Sequence, residues 1–251
     1  MSATALAQAL EAGRVVGWID TPFHDVHRKI RMLVGGDPSV GFGLSQLLPT
    51  SVDEVVAGLN DLSGWDFAAG EGVRGKSYVS PEATVAQIER AAYRLRLACE
   101  RSERVFFGTG HPTGPLEMYG RLAQEMKSRG VELMRIREGE SFDGYVGGGR
   151  IQYCGDVAVV SMSGDLVHTH SAKPMEFLFS GGLDVGLVVG DHGFCGAALA
   201  RGIDAVAVVD TNDPALVLAH TRRLPIWPIL CDDNRPSVNY HAMTDFISAR
   251  I

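Results

Sequence analysis

Paired cysteines, an excess of positive charge and long apolar runs are all missing from this chain, and each absence removes a class of protein. The four cysteines, Cys99, Cys154, Cys195 and Cys231, stand far apart with no C-x-x-C pair. That spacing excludes a zinc ribbon and a dithiol redox motif and leaves reduced, mostly buried thiols. Lys and Arg number 23 against 30 Asp and Glu, a net charge of -7. Clustered cations release counterions from a phosphate backbone, so no nucleic-acid partner is expected. No uninterrupted apolar stretch approaches the ~20 residues a membrane span needs. Met1 to Val16 also lacks a basic segment followed by an apolar run, so the expectation is a cytoplasmic protein with no membrane partner.

What is present is globular. Among 251 residues, 45% are hydrophobic, 21% are charged and 30 are glycine, which excludes disorder and collagen and allows one sizeable core. From residue 81 onward, short apolar runs alternate with amphipathic stretches. Ser80-Pro81-Glu82 supplies a capping hydroxyl, a first-turn proline and a first-turn acid, and Val85, Ile88, Ala92, Leu95 and Cys99 follow at helical spacing. Val105-Phe106-Phe107 then reads as a strand running into Gly108 to Gly114, followed by a helix marked by Tyr119, Leu122, Ala123 and Met126. A strand over Val131 to Ile136 completes a βαβ unit, which favours parallel pairing.

Between Gly147 and His168 the pattern becomes closely spaced β-like runs, Arg150 to Cys154, Val157 to Met162 and Leu166 to His168, with turn pairs Gly155-Asp156 and Gly164-Asp165. Alternation then resumes: strand Val185 to Val189, helix His192 to Arg201, strand Ala205 to Val209, helix Pro214 to Arg222, strand Ile226 to Leu230. These strands are nearly continuous apolar runs, the mark of a sheet covered on both faces. The predicted fold is therefore a three-layer α/β protein with a mostly parallel, Rossmann-like sheet and a β-hairpin insertion. Residues 1–79 read as a helical N-terminal extension or cap, with a capping box at Ser51-Val52-Asp53-Glu54 and a loop from Gly64 to Tyr78, and residues 80–251 as the catalytic core.

In open α/β sheets, ligands bind beyond the carboxyl ends of the strands. His111, His168, His170, Asp191, His192, Asp210, Asn212, Asp213, Asp232, Asp233 and Asn234 all follow predicted strand ends. Gly108, Thr109, Gly110, His111, Thr113 and Gly114 have the features of an anion cradle, since glycines let backbone N–H groups approach a ligand at a helix N-terminus. The segment matches neither the Rossmann nor the Walker pattern. A tight strand-to-helix turn is the plainer reading of the same residues. His168 and His170 share one side of an extended segment, suited to metal binding or paired proton transfer, and Lys173 supplies a charge for phosphate. Asp191 beside His192 reads as a metal-ligand or proton-transfer pair, or more simply as a helix cap. Asp210, Asn212 and Asp233 offer oxygen ligands of the kind Mg²⁺ prefers, whereas Asp213 before Pro214 reads as a cap.

Four stretches carry a likeness: Gly108 to Gly114, Leu166 to Ser171, Asp191 to Ala198, and Asp210 to Ala215 leading to Asp232-Asp233-Asn234. In order and spacing, Val105 to Asn234 resembles a family of bacterial, chiefly actinobacterial, proteins assigned as phosphatases. There is also a more distant likeness to bacterial D-glutamate cyclases. The first resemblance implies phosphatase activity without naming catalytic residues.

The expected function is hydrolysis of a small phosphorylated metabolite, assisted by Mg²⁺ or another divalent cation, with a homo-oligomer left open. Asp191, His192, His168 and His170 are the expected catalytic groups. The expected metal ligands are Asp191, Asp210, Asn212 and Asp233, and the expected phosphate-binding groups are the glycine loop and Lys173. Two alternatives stay open, a lyase or cyclase acting on a small amino acid or carboxylate, and a non-catalytic anion sensor.

Overall fold

The computed structural model describes residues 1–68, 75–144 and 148–251. The first segment carries helix α1 (Ala3–Ala12), strand β1 (Gly17–Pro22), α2 (Phe23–Val34) and α3 (Val52–Ser63), and strand β2 (Lys76–Val79) follows. At the predicted capping box the Ser51 side chain accepts a hydrogen bond from the Glu54 amide. The sequence reading leaves out the two strands, which pair antiparallel as a separate sheet, Gly17 opposite Val79 and Pro22 opposite Lys76. Part of the stretch read as a loop, Gly64 to Tyr78, is therefore strand. Residues 69–74 of that stretch, and the Gly147 boundary of the later β-like region, lie outside the described residues. The strands were missed because each is short and its partner is distant in sequence, so the pairing leaves no local period to detect.

The predicted alternation is realised from residue 81 onward, except that the strand expected over Val131 to Ile136 is only Glu132–Leu133 and that over Leu166 to His168 is Asp165–Leu166. The elements are α4 (Pro81–Glu100), β3 (Arg104–Gly108), α5 (Leu116–Ser128), β4 (Glu132–Leu133), β5 (Ser141–Phe142), β6 (Gly149–Cys154), β7 (Val157–Met162) and β8 (Asp165–Leu166). Then come α6 (Lys173–Ser180), β9 (Leu187–Gly190), α7 (His192–Leu199), β10 (Asp204–Val209), α8 (Pro214–Thr221), β11 (Ile226–Leu230) and α9 (His241–Ser248). Among the described residues they form one mixed nine-stranded sheet in the order β11-β10-β9-β3-β7-β6-β5, with β4 also on β3 and β8 on β7. Strands β11, β10, β9 and β3 run parallel, as do β3 with β4 and β3 with β7. The pairs β6–β7, β5–β6 and β7–β8 are antiparallel. The protein is thus mixed α/β with a mostly parallel central sheet.

This order places a topological switch at β3. The chain leaves β3 toward β4 and β7 on one side and returns to it through β9 on the other, with Gly108 opposite Gly190. A crevice opens beyond the carboxyl ends of the strands at such a point. Helix α7 brings polar groups into it from the interior. All eight residues of α7 are buried, as expected of a helix without a polar face. A Cβ on Gly193 would stand 2.1 Å from Ser171 O, and one on Gly196 would stand 2.0 Å from Phe42 O. Only glycine lets those two segments close on α7. Residues 1–79 share the same hydrophobic core: Leu6, Leu10, Ile19, Phe23 and Ile30 belong to one cluster with Val105, Val188 and Leu230.

Candidate active site

The parallel strands β3, β9, β10 and β11 each run into polar residues, and those four ends meet. Beyond β3 lie Thr109 and His111, beyond β9 Asp191 and His192, beyond β10 Asp210 and Asp213, and beyond β11 Asp232 and Asp233. All eight are buried. With His168 and His170 from the segment after β8, they surround or back a cavity of about 290 Å³. Its lining comprises Asp20, Thr21, Pro22, Lys29, His111, His168, His170, His192, Asp210, Asn212, Asp232, Asp233 and Asn234.

Asp233 is the centre of the arrangement. Its Oδ2 lies 3.2 Å from His192 Nε2 and 3.3 Å from His111 Nδ1. His192 Nε2 is also 3.6 Å from Asp213 Oδ2. The imidazoles crowd together, with ring centroids 4.3 Å apart for His111–His168 and 4.3 Å for His170–His192. His168 Nε2 and His170 Nε2 are 3.1 Å apart, so one proton can sit between them.

The two aspartates read as possible helix caps do not cap. Asp191 and Asp213 occupy the N-cap positions of α7 and α8, yet neither side chain caps its helix. For Asp213 this corrects the expectation. Its Oδ2 accepts from the Asp210 amide at 3.0 Å and its Oδ1 is buried without a hydrogen-bond partner among the described residues. Giving up a cap costs about 1 kcal/mol, which tertiary contacts must offset. Asp191 accepts from Thr109 Oγ1 at 2.5 Å, from the Gly110 amide at 2.7 Å and from Tyr119 Oη at 3.2 Å. It stands behind His192, its Oδ1 3.6 Å from His192 Nδ1, and does not line the cavity. His192 itself has φ 39, a left-handed conformation that a residue with a Cβ adopts only under surrounding constraint.

Electrostatics sort the histidines into two kinds. For His192, burial favours the neutral ring, but the carboxylates of Asp213, Asp233 and Asp191 outweigh it and push the pKa up to about 10. His111 shifts upward too, its burial overcome by Asp233 and then Asp191. His168 goes the other way, to about 4, because of burial and the neighbouring His111 and His192. Burial, His192 and Lys29 lower His170 to about 3. Among the carboxylates, burial opposes ionisation of Asp233, yet the two imidazoles hold it well below the usual range. Burial raises Asp213 to about 6 against the pull of His192. Asp210 and Asp232 are raised by burial first, with the Asp233 charge adding to it.

Three buried or partly buried groups can each hold a metal ion, with ligand atoms within 4.8 Å of one another: His111/His168/His192, His192/Asp213/Asp233 and Asp210/Asp232/Asp233. His111 Nδ1, His192 Nδ1 and Asp213 Oδ1 are buried polar atoms without a hydrogen-bond partner among the described residues. Such atoms are costly unless something else satisfies them.

The glycine loop is placed otherwise. Its amides are used inside the protein: Thr109 N donates to Ala158 O, Gly110 N to Asp191 and His111 N to Thr109 Oγ1. A Cβ on Gly110 would stand 2.0 Å from Thr169 O, so this glycine lets the histidine segment approach. Of Gly108, Thr109, Gly110, His111, Thr113 and Gly114, only His111 lines the cavity. Thr113 is exposed. Lys173, at the start of α6, is exposed and away from the lining. His168, His170, His192, Asp210, Asn212 and Asp233 come together as lining residues. Asn212 Nδ2 donates to Asp25 Oδ2 at 3.2 Å.

Sequence reasoning gave no role to Asp20, Thr21 and Lys29. Thr21 Oγ1 donates to Asp210 Oδ2 at 2.6 Å, and the Asp20 amide donates to Asp232 Oδ2 at 3.0 Å. Lys29 lines the cavity and forms no ion pair among the described residues. No sequence signal marked them: in Gly17–Pro22 the alternation is one of burial, visible only in the folded protein.

These features define a mixed α/β protein with a buried His/Asp centre, able to hold a metal ion, at the switch point of its sheet. The family model described as Phosphatase matches residues 1–251, and the chain belongs to that family. Over 255 residues it is 33% identical to "Phosphatase SCO2771" of Streptomyces coelicolor (strain ATCC BAA-471 / A3(2) / M145), covering 96% of this chain and 92% of the relative. The expected phosphatase class and the likeness to an actinobacterial family are both borne out. No solved structure matches the chain. Among the described residues no helix is long and apolar enough to cross a membrane.

Proposed function

We propose that this phosphatase hydrolyses small phosphomonoesters at the His/Asp cavity with the help of a divalent cation. The observation that carries this reading is the convergence of His111, His168, His192, Asp213 and Asp233, on separate chain segments, with unpartnered buried atoms on three of them. A mixed imidazole and carboxylate set suits Mn²⁺, Fe²⁺ or Zn²⁺ better than Mg²⁺, which takes oxygen ligands. When bound, the cation supplies a Lewis acid for the phosphoryl oxygens and lowers the pKa of water.

The remaining residues have separate tasks. Lys29 meets the phosphoryl charge, a role that had been expected of Lys173 and the glycine loop. His170 lines the cavity but belongs to none of the three metal-holding groups, which leaves it to move a proton. Water adds to phosphorus and gives a proton to His170, whose lowered pKa leaves its ring neutral, the ester P–O bond breaks, and the leaving oxygen takes that proton from His170. Asp191 positions His192 and the Gly110 turn rather than touching substrate. A cavity of about 290 Å³ fits a small metabolite. On the same reading, residues 80–251 form a three-layer, Rossmann-like catalytic core with the β6–β7 pair as its insertion, and residues 1–79 are a cap that contributes Thr21 and Lys29.

The test is a phosphate-release screen over sugar, nucleoside and amino-acid phosphates, after chelation and after adding back Mn²⁺, Zn²⁺ or Mg²⁺. Release that requires a cation is expected. Absence of phosphate from every substrate overturns the reading, and cation-independent release removes the cation from it.

A further inference from the structure

The three metal-holding groups share members, and the chemistry of the shared members limits how they can be filled. His111/His168/His192 and His192/Asp213/Asp233 have His192 in common. An imidazole nitrogen has one lone pair, so one nitrogen serves one cation. His192 Nε2 and His111 Nδ1 both face Asp233 Oδ2, at 3.2 and 3.3 Å, so the two groups overlap at one position. Asp210/Asp232/Asp233 shares only Asp233 with them. A carboxylate has two oxygens, each able to bind a different cation.

Two of the three carboxylates have no paired cation among the described residues. Asp210 and Asp232 are 3% and 2% exposed, and neither forms an ion pair with Lys or Arg among the described residues. The nearest arginine in sequence, Arg235, pairs with Asp20 instead. Buried carboxylates this close repel unless a cation or protons intervene. Buried atoms without a hydrogen-bond partner among the described residues belong to the group's neighbours: His111 Nδ1, 3.3 Å from Asp233 Oδ2, and Oδ1 of Asp213, whose Oδ2 accepts from the Asp210 amide. Fixed hydrogen bonds orient the rest. Thr21 and the Thr211 amide hold Asp210, and the amides of Asp20 and Asn234 hold Asp232.

We infer that the site holds two cations of different preference, one among His111, His168 and His192 and one between Asp210 and Asp232, with Asp233 bridging them. The first position suits an imidazole-binding ion such as Zn²⁺ or Mn²⁺, the second an oxygen-binding ion such as Mn²⁺ or Mg²⁺. Two cations sharing a ligand are the arrangement that clamps both the attacking and the leaving oxygen of a phosphoryl group. The inference rests on the phosphatase reading for its purpose but not for its test.

The experiment loads the chelated full-length protein with Mn²⁺ alone, without substrate, and measures metal per chain by elemental analysis and spin coupling by electron paramagnetic resonance. Two Mn²⁺ per chain with an exchange-coupled spectrum is the expected result. His168→Gln, at an exposed position, and Asp232→Asn should each leave one uncoupled Mn²⁺. Circular dichroism checks that each variant is folded, and the unmutated protein decides the matter if either is not. One Mn²⁺ per chain at saturation, or two without coupling, overturns the inference. Phosphate release with a single bound cation would also overturn it while leaving the phosphatase reading intact. A coupled pair in a protein that releases no phosphate would do the reverse.

Discussion

His192 Nε2 lies 3.2 Å from Asp233 Oδ2, and the two residues belong to different strand ends, one beyond β9 and the other beyond β11. Both are buried, at 2% and 5% exposure. The contact ties β9, the strand beside the switch point, to the edge of the parallel sheet and puts opposite charges where water does not screen them.

Asp233→Asn should lower kcat/KM for phosphate release by about a hundredfold or more, the scale of removing one contact to transition-state charge. The neutral amide also leaves the two imidazoles without their shared counter-charge. Steady-state kinetics on any accepted phosphomonoester checks this, and retained activity would take Asp233 out of the centre.

Asp191→Asn tests a positioning role. Asp191 accepts from Thr109, the Gly110 amide and Tyr119, and an amide group can keep only part of that set. A loss of about 3 kcal/mol in stability is expected, comparable to breaking a buried charged network. Turnover should fall while the number of cations bound per chain stays unchanged. A fall in metal stoichiometry would instead make Asp191 a ligand.

Thr21→Val keeps the shape of the side chain but removes the 2.6 Å hydrogen bond to Asp210. Outer hydrogen bonds that orient metal ligands are worth about 10- to 100-fold in affinity. Weaker Mn²⁺ binding in calorimetry is therefore expected from a change in the first 79 residues. Unchanged affinity would separate that segment from the site.

Lys29→Met should raise KM for phosphomonoesters about tenfold or more, the value of one charge-assisted hydrogen bond. Since Lys29 has no ion-pair partner among the described residues, stability should change by no more than about 0.5 kcal/mol. A changed kcat at constant KM would place Lys29 in proton transfer instead.

Glu54 gives a prediction remote from the site. It accepts from Arg222 Nε and Nη2 and from Thr50, and its pKa is lowered from 4.5 to about 2, the Arg222 hydrogen bonds contributing most. A depressed carboxyl pKa stabilises the fold above the unfolded value and ceases to do so as pH falls through the folded value. The gap in Tm between wild type and Glu54→Gln should therefore be full at pH 6 and close between about pH 4.5 and 2. A gap that persists at pH 2 would contradict the assignment.

Much of the sheet could be read from the chain because its parallel strands are buried on both faces. Ile226 to Leu230 was predicted at its observed bounds, and β3, β9 and β10 to within two residues at either end, since continuous apolar runs between polar turns admit few alternatives. The candidate site was legible for a related reason. His168, His170, His192, Asp210 and Asp233 were picked out as polar residues at strand ends, and all of them line one cavity. Lys29 and Thr21 were not legible, because an amphipathic helix and a six-residue strand look the same whether or not they lean over a pocket.

The sequence by itself determined where β3, β9, β10 and β11 stop and which side chains follow them, because those strand ends are set by local apolar runs and turn chemistry. It left Asp191 before α7 with two readings, cap or site group, and gave Asp213 before α8 one, a cap. Tertiary structure alone decided between them. Asp213 at the start of α8 and Asp191 at the start of α7 turn away from their own helices toward groups brought in by other strands. That choice depends on the register of β3, β9, β10 and β11 and on the docking of β1. These contacts span up to 212 positions of the chain, and no local pattern encodes them.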